Sequence, residues 1–294
     1  VSWDVAHIYE HSFINAFHRF LKEHGIFPGL SGYISAETFE RVVFLEFIFY
    51  NRKVKNLFKK FLKKEKQLEF DIRHAVLQVE AEDSSDLTVT NQKLFEEQLK
   101  KIRNQKWKNI NTQKLSDLDA LKTKAKRSVK LKENNTKFAE GLLEVVLSED
   151  TMEAAALFNR LSLLMADSIA FALSEVAGVY VDQCMDPIRE KQSASIKIYF
   201  YYNKRLSSPA EVTAAAKQAL QQLILKTNQP LIAEHFDYFA NSLNLRWIAK
   251  DHYRYSGIII SNKALAKLAT SKNIHRQIEN IDIKCRIVRE KKTS

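Results

Sequence analysis

Apolar side chains return every three or four positions over residues 2–23, with Ile14, Phe17, Phe20 and Leu21 in register, and Ser2 or Asp4 is placed to cap the start. This spacing predicts an amphipathic helix. Gly25, Pro28, Gly29 and Gly32 end it, and with three of the chain's six glycines this connection is where tight backbone geometry is expected. Between residues 33 and 50 the runs Tyr33-Ile34-Ser35 and Val42-Val43-Phe44-Leu45 predict one or two strands, although 37–47 also admits a helical reading. Helical spacing resumes over 53–81, where Leu57, Phe58, Phe61, Leu62, Leu68, Ile72, Ala75, Val76 and Val79 stand among many lysines until Asp83-Ser84-Ser85-Asp86 interrupts it. A further lysine-rich helical stretch covers 91–125.

After a basic run, Glu133-Asn134-Asn135 gives way to an apolar segment, which places a domain boundary at 130–136. Beyond it the pattern predicts a strand at 138–147, a long apolar helix over 151–176 ending at Gly178, an alternating strand at 193–202, helices over 209–226 and 231–243, and late strands at 255–261 and 281–288. Helices and strands in this order predict an α+β fold, with helices packed on mixed or antiparallel sheets and not a regular βαβ series. The two halves are 1–130 and 131–294.

Composition narrows the picture only modestly. An apolar content of 45% supports a sizeable core, and 6 glycines with 4 prolines are too few for an all-β sandwich or barrel. The net charge of +11 permits nucleic acid, anionic membrane or acidic peptides as partners and selects none of them. The basic clusters at 52–66 and 122–132 accompany no recognised nucleic-acid motif, so a nucleic-acid partner is not expected. The apolar run 42–50 is interrupted by Glu46 and is far shorter than the roughly 20 residues of a membrane helix, so no membrane span is expected and a cytoplasmic location is favoured. Cys184 and Cys285 suggest no disulfide framework. There is no Walker loop, G-x-G-x-x-G, Cys-x-x-Cys or G-x-S-x-G elbow. His18, His24, His74, His235, His252 and His275 lack ligand-like spacing and are expected to be surface or hydrogen-bonded histidines.

One motif carries chemistry. His7-Ile8-Tyr9-Glu10-His11 is H-x-x-E-H on the first predicted helix, and positions i, i+3 and i+4 share one helix face. Two imidazoles and a carboxylate directed at one small volume suit Zn²⁺, with a third protein ligand to fix the ion and an open position for water. Glu10, beside the ligands, is placed to act as general base. The third ligand is expected from another helix: Glu82 continues the stripe Ile72, Ala75, Val76 and Val79, and Glu80 competes with it. Two residues along a helix turn a side chain by roughly 200°, so only one of the two can face the metal.

These residues bring a resemblance into view. The runs Asp4-Val5-Ala6-His7-Ile8-Tyr9-Glu10-His11, Phe20-Leu21-Lys22-Glu23-His24-Gly25, Gly32-Tyr33-Ile34-Ser35-Ala36-Glu37-Thr38 and Val79-Glu80-Ala81-Glu82 resemble the pitrilysin or insulinase family of zinc peptidases. The resemblance implies His7, His11 and Glu82 as zinc ligands and Glu10 as the residue that activates water. It further implies that residues 32–38 form an edge strand against which a substrate backbone pairs. Residues 158–161, 173–180 and 196–200 are similar to that family's non-catalytic half, which offers Tyr180 as a substrate-binding residue. The family builds a closed chamber from two pairs of such halves, so the resemblance implies an N-terminally abbreviated chain, a peptide substrate and a homo- or heterodimer. Ala75 stands where that pattern has an acidic residue, and Ser174 where it has an arginine. The alternative is therefore a catalytically degenerate member serving as scaffold or partner subunit.

Overall fold

A computed structural model describes residues 1–38, 43–105, 126–134, 136–148, 151–190, 193–242, 264 and 267–289. Helix α1 (Trp3–Glu23) carries out the predicted periodicity and buries more than one face. Phe13, Phe17 and Leu21 enter the main core beside Val54, Leu57 and Phe61 of α2 (Arg52–Lys64). On another side Val5 and Ile8 meet Ala75 and Val79 of α3 (Ile72–Glu82) in a smaller cluster that includes Phe95 of α4 (Gln92–Arg103). Ser2 occupies the N-cap position without making a capping bond. Its backbone N and its Oγ both donate to Gln98 Oε1, at 2.8 and 2.9 Å, which ties the start of α1 to α4.

The connection after α1 has the tight geometry expected of it. Gly29, in a short 3₁₀ turn (Pro28–Leu30), approaches the backbone of Ser168 so closely that a Cβ there would lie 2.5 Å from Ser168 Cα. Gly32 opens β1 (Gly32–Thr38) at φ +140°, and a Cβ there would meet the Ile48 carbonyl oxygen at 2.1 Å. Only glycine fits either place. Strand β1 pairs antiparallel with β2 (Val43–Phe49), from Gly32 opposite Phe49 to Thr38 opposite Val43. Residues 83–86 do not form a long interruption: Ser84 turns at φ 48°, and β3 (Ser85–Val89) begins at once and pairs with β4 (Val129–Glu133).

The later chain builds one sheet with helices against it. Its strands are β5 (Phe138–Leu147), β6 (Val179–Glu190), β7 (Ser193–Asn203) and β8 (Ile281–Arg289), ordered β6-β7-β5-β8 with every neighbour antiparallel. Helix α5 (Met152–Ser174) packs on β6 and β7 and against α6 (Pro209–Gln222), which also meets β8. Helices α7 (Gln229–Ser242) and α8 (Ser271–Glu279) complete the described elements. The architecture is α+β, with helices on small antiparallel sheets. Strand β6 escapes the hydrophobic pattern because it is an edge strand carrying Pro187, with register shifts between Val181 and Gln183 and between Met185 and Ile188. Edges and bulges are where a sheet tolerates such residues.

One described helix bears on the expectation of no membrane span. Within α5, Glu153–Ser174 is long and apolar enough to cross a bilayer by length and composition. However, 67% of its most apolar window is buried within the chain, where Phe158, Leu161, Leu164, Met165 and Ile169 join the core that also holds Phe13 and Phe17. The apolar run serves this core. Most of the helical stretch expected at 91–125 beyond Arg103, the strand expected at 255–261 and His252 lie outside the described residues.

Candidate metal centre

The H-x-x-E-H face of α1 turns inward as its periodicity requires. His7 and Glu10 are only 5% and 6% exposed, and the donor atoms of His7, Glu10 and His11 all lie within 4.8 Å of one another, a cluster that could hold a metal ion. Helix α3 supplies the fourth group. Ala75 and Val79 seat against Val5 and Ile8, and the last turn of α3 then delivers Glu82 beside both histidines. Glu82 Oε2 lies 3.1 Å from His7 Nε2 and 3.0 Å from His11 Nε2, and the two Nε2 atoms are 3.3 Å apart. One rung further along, Asn15 Nδ2 donates to Gln78 Oε1 at 2.8 Å. Ascending positions on α1 therefore meet descending positions on α3, as in an antiparallel helix pair.

Glu80, the competing carboxylate, faces elsewhere. It accepts from the Leu87 backbone N at 2.9 Å and from Lys137 Nζ at 3.3 Å, in a bridge that joins α3, β3 and the start of the later chain. Tyr180, at the start of β6, stands edge-on to His11 with ring centroids 5.9 Å apart, and its hydroxyl faces the same cavity as Glu82. Burial and the Glu82 charge both make that hydroxyl harder to ionise.

The charges respond to this packing. Burial opposes ionisation of Glu82, but the hydrogen bonds and charges of His11 and His7 outweigh it and bring its carboxyl down to about 2. For His7, burial disfavours the cation, yet Glu82 more than compensates and raises its basicity. Glu10 moves the other way: burial lifts it above the usual carboxylate range, and the opposing effects of Thr38, His11 and His7 do not cancel that. Thr38, the last residue of β1, donates its hydroxyl to Glu10 Oε2, while its carbonyl accepts from Trp3 Nε1 at 2.8 Å. The Trp3 ring lies 4.8 Å from the ring of His7. His7 Nδ1 is buried without a hydrogen-bond partner.

Trp3, Thr38 and Asp83 border this group and were not singled out from the chain pattern. Trp3 could have been, because it stands four residues before His7 on the same helical face. Thr38 ends the run read as an edge strand, but its contact with Glu10 has no local signal, since the hairpin brings it there. The histidines outside the motif divide. His24, His74 and His275 are hydrogen-bonded to the Phe20 carbonyl, the Ser174 carbonyl and Glu279. His18 departs from expectation: it is buried against Phe171 with its Nδ1 unpartnered, and burial lowers its basicity to about 4.

The metal-centre residues His7, Glu10, His11 and Glu82, with Thr38, Tyr180 and His18, line one cavity of about 690 Å³, bounded by α1, β1 and α3 on one side and by α5 and β6 on the other. No protein-family model matches the chain, and no curated protein matches its sequence.

Proposed function

We propose that the chain is a zinc-dependent peptidase, with His7, His11 and Glu82 as metal ligands and Glu10 as general base. The observation that carries this reading is the triangle of donors, whose edges are 3.0, 3.1 and 3.3 Å. Donors about 2.0–2.1 Å from a tetrahedral zinc ion stand about 3.3 Å apart, so two imidazole nitrogens and a carboxylate oxygen already have the required spacing and chemistry. When bound, zinc supplies Lewis acidity towards water and the substrate carbonyl.

The chain's own residues account for the remaining steps. Glu82 stays ionised under the influence of both histidines. Glu10, placed by Thr38 and destabilised as an anion by burial, takes the proton of the attacking water on its carboxylate and gives it to the leaving amine. Strand β1 lines the cavity and pairs only with β2 among the described residues, which leaves its other edge to receive an extended peptide.

Metal analysis with peptidase assay tests the assignment. Wild type and Glu80→Ala hold stoichiometric zinc, and Glu82→Ala loses it. Glu10→Gln keeps zinc while kcat falls by about 10²–10⁴-fold. Undiminished turnover in Glu10→Gln, or a folded chain that takes up no zinc, overturns the reading, and the second result favours the scaffold alternative.

A further inference from the structure

The cavity's lining is at odds with the chain's overall charge. The protein has 46 lysines and arginines and a net charge of +11, yet among the described residues no lysine or arginine lines the cavity. Six carboxylates do: Glu10, Glu37, Glu82, Asp83, Asp167 and Asp182. A divalent ion at the metal centre would cancel only two of these charges. Lys22, whose Nζ lies 5.8 Å from the Phe171 ring centroid, is outside the lining and is ion-paired with Glu175 at 2.5 Å. A cleft whose walls carry one sign of charge concentrates ligands of the opposite sign.

The end of the cavity away from the metal has a more definite shape. His18 lies seven residues beyond His11 on α1, or about 10 Å along the helix at 1.5 Å per residue. Its ring meets Phe171 edge-on at 5.0 Å, and Phe27 meets the same Phe171 ring at 5.3 Å. Asp167, one turn before Phe171 on α5, accepts from the Tyr50 hydroxyl at 3.3 Å and faces the cavity with no cationic partner in the lining among the described residues. Aromatic walls leading to a carboxylate match a long aliphatic stem with a positive head.

We infer that this cavity selects peptides carrying a lysine or arginine, whose stem lies along Phe171 and His18 and whose cationic head is received by Asp167. The inference rests on the peptidase reading for the peptide itself and adds the class of residue it must contain. The roughly 10 Å from His11 to His18 corresponds to about three residues of extended chain, so the cation sits a few positions from the scissile bond. Burial shifts Asp167 above the ordinary carboxylate range, so the empty site gives up part of its negative charge and a cationic guest restores it.

The test uses the zinc-loaded chain and a set of quenched fluorescent peptides identical except for one position, occupied by lysine, arginine, norleucine or glutamate. The lysine and arginine peptides are expected to exceed norleucine by about tenfold or more in kcat/KM, with glutamate poorest. Asp167→Asn, nearly isosteric, brings lysine and norleucine to within about twofold. The same order appears in Kd, measured by fluorescence anisotropy on Glu10→Gln, where no cleavage intervenes. Equal values across the charge series, or a lysine preference that survives Asp167→Asn, overturns the inference. If the lysine peptide binds selectively through Asp167 but is never cleaved, the peptidase reading falls and this one stands. Cleavage without charge preference does the reverse.

Discussion

The two ends of the cavity hold the same kinds of side chain in opposite electrical states. At the metal end, Glu82 sits between His7 and His11, its carboxyl is held at about 2, and His7 becomes more basic. At the far end, His18 falls to about 4 and Asp167 rises to about 7, each chiefly because it is buried. Burial disfavours the charged form at both ends. Only at the metal end do acid and imidazole come within hydrogen-bond distance, and there pairing outweighs desolvation. Proximity of partners, more than depth, separates a site poised to bind a cationic metal from one that waits for a charged guest.

The largest effect that would break this comparison is metal-linked stability. If the metal end alone binds zinc, free zinc at 1,000 times Kd stabilises the fold by about 4 kcal/mol. His11→Ala should abolish that shift in thermal denaturation, and His18→Leu should leave it intact. A zinc-induced shift that persists in His11→Ala, or disappears in His18→Leu, would show that the ends had been assigned the wrong way round.

The next effects are pH-dependent and of opposite sign. Histidine in the unfolded chain takes up its proton near 6.5, whereas His18 in the fold resists until about 4, so stability is lost as pH falls through that window. His18→Leu should remove an acid-side loss on the order of 3 kcal/mol, read as a flatter denaturation midpoint between pH 6.5 and 4. Asp167 behaves conversely: its folded value of about 7 exceeds the ordinary 3.8 of the unfolded chain, so its contribution is full below about 3.8 and is lost as pH rises through 7. Asp167→Asn should therefore raise the melting temperature relative to wild type at pH 8 and change it little at pH 4. Parallel pH profiles for wild type and both variants would contradict the isolated burial of these groups.

The smallest effect concerns Tyr180. Its ring stands beside His11 and it lines the cavity with Glu82, so Tyr180→Phe removes the hydroxyl offered to a substrate while preserving the ring contact. Zinc should remain bound, and kcat/KM should fall by about three- to tenfold, corresponding to roughly 1 kcal/mol for one hydrogen bond. Loss of zinc in this variant would make Tyr180 part of the support for Glu82 and not a residue beside the substrate.

Much of the first half is legible along the chain. Three- and four-residue spacing places the start of α1 within one residue, and the aromatic runs around Tyr33 and Phe44 become β1 and β2. The short β3 is not legible, because five residues of mixed polarity after a turn carry too little pattern. The role of the apolar stretch in α5 is equally hidden, since a core helix and a membrane helix share length and composition and differ only in what surrounds them.

The same division holds for the candidate site. His7, Glu10 and His11 converge because they lie three and four residues apart on one helix, and that geometry is local: the sequence by itself determines it once the helix forms. Which carboxylate of α3 joins them is decided by packing. Ala75 and Val79 seat against Val5 and Ile8 and turn Glu82 towards the histidines, while Lys137 and the Leu87 amide engage Glu80 on another side. His18, seven residues beyond His11, shares its helix face, but Asp167 and Tyr180 enter the same cavity only when α5 and β6 close against α1. Their separation along the chain leaves no periodicity to read, and burial, which sets their charge, exists only after the core has formed.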